Sequence, residues 1–252
     1  MCAFSYNFEM ENVANPKDAV IHITGISSMA TRQLLAELTS AFTARSGHAV
    51  SIESVGGVDA AKRVQAGELF DLVVLGSDAI DKLIAAGAVV SGSRVDLVAS
   101  GVAVAVRAGE PLPDIATEEA VKRAVHAAKS VSYSTGPSGV ALAKLFDRWG
   151  IAEDIKNRMV QAPPGVPVGS LVASGEVALG FQQLSELLHV DGITIVGSLP
   201  ADIQITTIFS AGVPACREAD SVRDAVVKAL LDYMASSEAT DAKRRQGMEA
   251  CV

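Results

Sequence analysis

The chain reads YSTGPSG over residues 133–139, where a predicted strand over 130–134 ends and an amphipathic helix begins. Ser138 stands where the N-cap of that helix is expected. The first backbone N–H groups of a helix have no partner inside it, and they carry the positive end of the helix dipole. Glycines such as Gly139 allow a ligand to approach the backbone closely, and Thr135 adds a hydroxyl. The stretch therefore predicts a site for an anion.

A second stretch has the same pattern. Gly25-Ile26-Ser27-Ser28 lies between a predicted strand over 21–26 and a helix that begins at Met29. Ordinary N-capping by Ser27 or Ser28 explains such a turn, and so does hydroxyl and backbone donation to an anion. Because the two stretches fall in different halves of the chain, together they indicate an anion held between two lobes.

Composition excludes several classes of protein. The chain has 252 residues, is 49% hydrophobic and carries a net charge of −8 with a pI of about 5.0. Nucleic-acid-binding proteins usually present a basic face, so we expect no nucleic-acid partner. The three cysteines, Cys2, Cys216 and Cys251, have no metal-ligand spacing, and an odd number does not indicate a disulfide framework. We expect no metal and no cofactor, and no segment is apolar for long enough to span a membrane.

Strands and helices alternate up to Gly87, which predicts an α/β fold with a parallel, doubly wound sheet. Two long extended segments interrupt this alternation, one over 94–107 and one over 204–213. We interpret them as crossovers between two lobes, each a mostly parallel sheet flanked by helices, with a ligand cleft between the lobes. The predicted boundaries are 19–99 with 206–252 for lobe one and 100–205 for lobe two. Residues 1–18 are predicted to be a loose extension, and we expect a monomer.

Other candidate ligand-binding residues lie at predicted strand ends and helix starts. Two amides, Gln182 and Gln183, follow a predicted strand over 177–181, at the edge where α/β proteins bind ligands, although simple solvent exposure explains them equally well. The remaining candidates are Gly57 and Val58 after the double glycine, Ser77 before a helix, Val166 at the start of a predicted helix over 166–176, and the cations Arg32 and Lys62.

Familiar catalytic motifs are missing from the sequence. The four histidines are scattered, Ser138 is not in a Gly-x-Ser-x-Gly elbow, and there is neither a Walker loop nor a Gly-x-Gly-x-x-Gly motif. An enzyme that only transfers a proton needs a single placed base, so an isomerase remains open.

Several of these segments, taken as a set, resemble the periplasmic molybdate-binding proteins of the type II solute-binding fold. The matching segments are ITGISS (23–28), the Gly56-Gly57 turn with AKR (61–63) and QAG (65–67), FDLVV (70–74), and GEVALGF (175–181). By position, Ser27 or Ser28 matches the first serine of the molybdate site. The second serine falls at Val58, and the family's tyrosine falls near Gln183. These departures imply a larger anion such as a di- or tricarboxylate.

The resemblance also bears on function. The stretches YSxxxSG and GFQQLSEL are similar to those of a branch of the superfamily that includes aconitate isomerase. The leading hypothesis is a solute-binding protein that closes on a small organic anion and works with an ABC permease. The alternative is a cofactor-free isomerase of a small tricarboxylate. The family implies a periplasmic location, whereas the sequence as written begins without a signal peptide, which would imply the cytoplasm if that start is native.

Overall fold

A computed structural model describes residues 20–163, 165–217 and 220–251 of the chain. The predicted extension over residues 1–18 lies outside the described residues. The strands are β1 His22–Ser28, β2 Ala49–Val55, β3 Leu72–Gly76, β4 Val95–Arg107, β5 Val131–Tyr133, β6 Met159–Gln161, β7 Leu179–Gln183, β8 Ile193–Ser198, β9 Thr206–Gly212 and β10 Glu249–Ala250. The α-helices are α1 Arg32–Ser46, α2 Gly57–Gln65, α3 Ser77–Ala85, α4 Glu118–Ala127, α5 Pro137–Arg148, α6 Ala152–Ile155, α7 Val168–Ser174, α8 Leu184–Leu187, α9 Ser221–Ala235 and α10 Thr240–Arg245.

The strands described here join into one ten-stranded sheet. Its order is β2-β1-β3-β9-β4-β7-β5-β6, and β8 and β10 pair with β4. The sheet has two flanks of parallel strands. In one flank β1 lies between β2 and β3, and in the other β5 lies between β6 and β7. The two long segments β4 and β9 run antiparallel to their neighbours and connect the flanks. The predicted α/β fold is confirmed, and the crossovers are part of the sheet itself.

Strand β4 contributes to two separate hydrophobic cores. Its first half, with Leu97 and Val98, packs in a core that also contains α1 and α9 residues. Its second half, with Val102 and Val104, packs in a core with residues of α4 and α5. The change of core falls around Ser100, where a strand long enough to serve two cores in turn was expected.

Strand β9 makes the same change in the opposite direction. Ile205, just before the strand, packs against the core of β5 and α5, whereas Phe209 and Ala211 belong to the core of α1 and α9. The predicted division at 99/100 and 205/206 stays a prediction, and the change of core along β4 and β9 supports it.

Among the described helices, α4 and α9 have side-chain N-caps. The Thr117 hydroxyl accepts a hydrogen bond from the Ala120 N–H at 3.2 Å at the start of α4. At the start of α9, the Asp220 carboxylate accepts from Val222 N at 3.0 Å. Residues 221–235, which have apolar side chains at helical spacing, form the whole of α9.

The N-cap predicted at Ser138 is wrong. Helix α5 begins at Pro137 with Gly136 as its N-cap, so Ser138 lies inside the first turn. The fixed φ of proline favours the first helical position, which moves the helix start forward. Ser77, predicted to precede a helix, is instead the first residue of α3, and Gly76 is the N-cap residue.

The second half of the chain also departs from prediction at three places. Gln182 and Gln183 are the last residues of β7 and do not follow it. The short strand β6 was not predicted, and the polar tail adds β10 after its helix α10. Of the helices within the described residues, none combines the length and apolarity that a membrane crossing requires.

Candidate anion-binding cleft

The carboxyl ends of the parallel strands from both flanks of the sheet meet at a common cleft. A Cβ placed on Gly76, at the end of β3, would lie 3.8 Å from Cγ of Pro137, at the start of α5. The same Cβ would lie 3.6 Å from Cγ2 of Thr207 on the crossover strand β9. The strand ends of one flank therefore face those of the other, which is where open α/β sheets bind ligands.

Ser27 and Ser28 have different environments, although the sequence does not separate them. The Ser27 hydroxyl is 2.8 Å from the Ser54 hydroxyl and is satisfied by it. The Ser28 side chain is 8% exposed, and its hydroxyl has no hydrogen-bond partner among the described residues. A buried hydroxyl without a partner costs free energy, about 1–3 kcal/mol, unless a ligand or water bonds to it.

The Ser28 side chain faces the start of α2. A Cβ on Gly57 would lie 3.5 Å from Cβ of Ser28. The first hydrogen bond inside α2 is donated by Ala60 N to the Gly56 carbonyl at 2.9 Å, which leaves the N–H groups of the first turn unused by the helix. No side-chain cap covers this helix start, in contrast to α4 and α9.

The start of α5 contributes a second uncapped first turn. The Ser138 hydroxyl is 6% exposed and lies 3.4 Å from the Ser134 hydroxyl. A Cβ on Gly139 would overlap the Ser134 carbonyl oxygen, so only glycine lets this helix approach the end of β5 so closely. Helix α3, whose first residue is Ser77, likewise begins without a side-chain cap. Three helices of eight or more residues, α2, α3 and α5, thus begin at the cleft without a side-chain cap.

The two amides at the end of β7 bond to protein groups. The Gln182 carbonyl accepts from Gly169 N at 3.1 Å, in the first turn of α7. With its amide oriented so that both atoms are bonded, Gln183 accepts from Thr207 Oγ1 at 2.8 Å and donates to Ser100 Oγ at 2.9 Å. Gln183 therefore ties the two crossover strands together. The ligand-binding roles predicted for both residues stay predictions.

The other candidates are more exposed. Thr135 and Val166 lie in the loops before α5 and α7, and Val58 in the first turn of α2 is 52% exposed. Lys62 is exposed in the last turn of α2, away from the uncapped start. Arg32 lines a separate cavity of about 420 Å³, together with side chains of α1 and β2. Arg32 is the first residue of α1 and shares this cavity with Ser54, the hydrogen-bond partner of Ser27, whereas Lys62 lies at the opposite end of α2 from its uncapped start.

Sequence reasoning missed Glu186, in helix α8. This helix directly follows β7 and packs against the 3₁₀ turn Met29–Thr31, which directly follows Ser28. The Glu186 side chain is half-buried. Desolvation by the protein around its carboxyl group raises its pKa to about 7, and the Gln182 side chain opposes that rise. A side chain that solvent reaches and protein closely surrounds is typical of a cleft.

The other residues of α8 account for its orientation. Leu187 packs with Ala103 and Ala105 in the core, and Leu184 lies against Gly247 of the C-terminal tail. Ser185 is 5% exposed, and its hydroxyl has no partner among the described residues. The sequence signal for Glu186 was misleading, because a glutamate three residues after a helix N-cap is an ordinary capping residue.

Metal ligation has no obvious site at the cleft. Within residues 20–163, 165–217 and 220–251, no three His, Cys, Asp or Glu side chains are grouped closely enough to share a metal ion. The groups described above at the cleft are hydroxyls, helix N–H groups and the Glu186 carboxyl group, and the first turns of α2 and α3 also carry Asp59 and Asp78. This set is able to bind an anion and to exchange a proton with it.

The sequence pattern of the bacterial extracellular solute-binding proteins matches residues 23–249. The chain belongs to this family. Proteins of this kind bind small anions and typically work with ABC permeases. The chain is also 42% identical over 190 residues to an aconitate isomerase from a Pseudomonas species, an alignment covering 74% of this chain and 70% of that protein.

Solved structures show the same fold at low identity. The periplasmic molybdate-binding protein of Azotobacter vinelandii matches with a TM-score of 0.74 at 19% identity, over 91% of this chain and 100% of the other. Campylobacter jejuni PEB3, solved with bound L-phospholactate, matches with a TM-score of 0.71 at 14% identity, over 91% and 100% of the two chains. The predicted resemblance to molybdate-binding proteins is confirmed for the fold.

Proposed function

We propose that this protein binds a small tricarboxylate in the cleft between its lobes and moves a proton on it, as a cofactor-free isomerase. The observation that carries the proposal is the Ser28 hydroxyl, which is buried without a protein partner beside the uncapped start of α2. Such a hydroxyl, together with free helix N–H groups, favours a ligand that accepts several hydrogen bonds. The similarity to an aconitate isomerase supports the choice of a tricarboxylate.

The electrostatics of the cleft agree with a bound polycarboxylate. The uncapped starts of α2, α3 and α5 each supply partial positive charge without a lysine or arginine. An ionised Glu186 would repel an anion, but burial raises its pKa to about 7, so close to neutral pH the neutral acid and the carboxylate are both populated and the repulsion is reduced. An overall charge of −8 does not oppose this, because local donors decide the binding.

A thermal-stability titration tests the ligand class. The ligands compared are citrate, cis-aconitate, trans-aconitate, tartrate, molybdate and sulfate. A ligand at one hundred times its dissociation constant stabilises the folded protein by about 2.7 kcal/mol, and we expect this from a tricarboxylate at the lowest concentration. Stabilisation by molybdate or sulfate alone, or by none of the six, would refute the tricarboxylate proposal.

Two neighbouring serines provide a matched pair of variants for the site. Ser28→Ala removes an unpartnered hydroxyl, so we expect unchanged or higher stability without ligand and affinity lowered by about 1–3 kcal/mol. Ser27→Ala breaks the bond to Ser54, so we expect about 1 kcal/mol less stability and nearly unchanged affinity. Equal losses of affinity in both variants would contradict the assignment of Ser28 to the ligand.

A second candidate is a receptor that delivers the anion to an ABC permease. Membership of the solute-binding family favours it, because such proteins typically work with a permease. The two candidates differ in turnover. Incubation with cis-aconitate, followed by proton NMR, should show the trans isomer forming if the protein is the isomerase. Tight binding without any conversion would favour the receptor instead.

A further inference from the structure

We propose that Glu186 is the catalytic residue that removes and returns the proton, with Gln182 positioning its carboxylate. This inference rests on the proposed isomerase function. It starts from the place of α8, which follows β7 at the carboxyl edge of the sheet and packs against the turn after Ser28. Glu186 and the unpartnered Ser28 hydroxyl therefore lie on adjoining elements from the two sides of the cleft.

Gln182 precedes Glu186 by four residues, and its amide is anchored by the backbone of α7. The Gln182 carbonyl accepts from Gly169 N at 3.1 Å. Because the carbonyl is occupied by a backbone N–H, the amide cannot rotate without losing that bond. The NH₂ group is the half of the amide that is left to favour the ionised form of Glu186, the direction in which Gln182 moves the Glu186 pKa.

The acidity of Glu186 suits a residue that both takes and gives a proton. Burial raises its pKa to about 7, close to neutral pH. A general base with a pKa near the working pH balances the fraction that is deprotonated against the strength of the base. No ion-paired arginine or lysine lowers this pKa, and the Gln182 amide is the only group that opposes the rise among the described residues.

The chemistry requires only one base. Aconitate is a propene with a carboxylate on each of its three carbons, one carbon being a methylene group and one a vinylic CH. Glu186 takes a proton from the methylene carbon, and the electron pair of that C–H bond forms a new double bond to the central carbon. The old double bond shifts its electrons to the vinylic carbon, which accepts the proton back from Glu186.

The products of this shift are the cis and trans isomers of one compound. The methylene and vinylic carbons exchange roles, so composition and oxidation state are unchanged and no co-reactant enters. The new double bond forms in the geometry that the bound intermediate holds. Negative charge develops on the ligand carboxylates in the transition state, where the uncapped starts of α2, α3 and α5 stabilise it.

The test compares Glu186→Gln with the wild-type protein and with Glu110→Gln, a change at an exposed glutamate in the turn after β4. Turnover of cis-aconitate is followed by proton NMR, and affinity is measured calorimetrically with citrate, which is not consumed. We expect Glu186→Gln to lower kcat at least about 100-fold, with citrate affinity within about threefold of wild type. Glu110→Gln should leave both unchanged.

Two further readouts separate catalysis from structure. The partly exposed Glu186 exchanges the proton it holds with solvent in a fraction of turnovers, so in D₂O the wild-type protein should place deuterium in recovered aconitate, and Glu186→Gln should not. The wild-type rate should rise with pH through an apparent pKa near 7. Gln182→Met removes the amide that favours the ionised form of Glu186. The pH at which the rate rises should therefore increase, a shift that a purely structural role would not produce. Glu186→Asp, a second carboxylate variant, should retain reduced turnover.

Each outcome decides between the proposals. Wild-type turnover in Glu186→Gln would overturn the role of Glu186 while leaving the isomerase intact. Citrate or aconitate binding without turnover by the wild-type protein would overturn the isomerase, and Glu186 as its base with it, while leaving the anion site. If Glu186→Gln fails to fold, Glu186→Asp provides the test. An unchanged kcat and an unchanged pH dependence of the rate in that variant would refute the inference.

Discussion

Replacing Glu186 by glutamine should change how the stability of the ligand-free protein depends on pH. Burial raises the pKa of Glu186 from 4.5 to about 7, whereas the unfolded chain gives this residue its ordinary pKa. Between these two values the folded protein binds more protons than the unfolded chain. The contribution of Glu186 to stability is therefore fully present below pH 4.5 and is lost as the pH rises through 7.

The size of the effect follows from the shift. One pKa unit corresponds to about 1.4 kcal/mol, so the full rise corresponds to a loss of about 3 kcal/mol above pH 7. Because solvent reaches part of the Glu186 side chain, screening lowers this to about 1–3 kcal/mol. A glutamine has no charge to bury and still accepts the hydrogen bond from Gln182. Glu186→Gln should therefore be more stable than wild type by that amount at pH 8, and by less than about 1 kcal/mol at pH 5, where the loss has only begun.

Urea unfolding at pH 5 and at pH 8 measures this directly, since every other titrating group is common to both proteins. In thermal melts, 1 kcal/mol corresponds to about 2–4 °C for a chain of this size. Glu110→Gln, the same substitution at an exposed position in the turn after β4, is the matched control. If the stability curves of wild type and Glu186→Gln stay parallel from pH 5 to pH 8, the raised pKa is refuted.

Three further changes test other parts of the cleft. Ser138→Ala should weaken tricarboxylate affinity by about 1–3 kcal/mol and change stability little, because Ser138 lies inside the first turn and is not the cap; calorimetry and melting of one variant check both. Gly139→Ala should destabilise the protein by about 3 kcal/mol in urea, because its Cβ overlaps the Ser134 carbonyl oxygen; a loss below about 1 kcal/mol would contradict that close approach. Thr207→Val removes the donor to the buried Gln183 carbonyl, so the urea midpoint should fall by an amount equivalent to about 1–3 kcal/mol. An unchanged midpoint would show that this bond does not hold the crossovers together.

Local patterns in the sequence were sufficient for the α/β class and for most elements. A buried strand such as β3 is recognisable because it is continuously apolar, and α9 because its apolar residues recur at helical spacing after a capping aspartate. The crossover at β4 was also predictable, since an extended apolar run over 94–107 exceeds the usual strand length. These features depend on residues that are near one another in the chain.

Site residues were only partly predictable, because their roles depend on partners far away in sequence. Nothing local distinguishes Ser27 from Ser28, and only the packing shows that Ser54 satisfies the first hydroxyl while the second lies unpartnered beside Gly57. Gln183 was predicted to bind ligand from its position at a strand end. Its amide is placed by β4 and β9, which lie far from it in the chain but pair beside it in the fold.

The sequence by itself determined the alternation of strands and helices, the two crossover segments and the glycine- and serine-containing turns at the carboxyl ends of the strands. It did so because periodicity, capping and turn chemistry act over a few residues. The tertiary structure decided the antiparallel joining of the two flanks, the choice between the serines and the acidity of Glu186. A pKa depends on desolvation by every element packed around the carboxyl group, here α8, the end of β7 and the turn after Ser28, and no short stretch of sequence contains that environment.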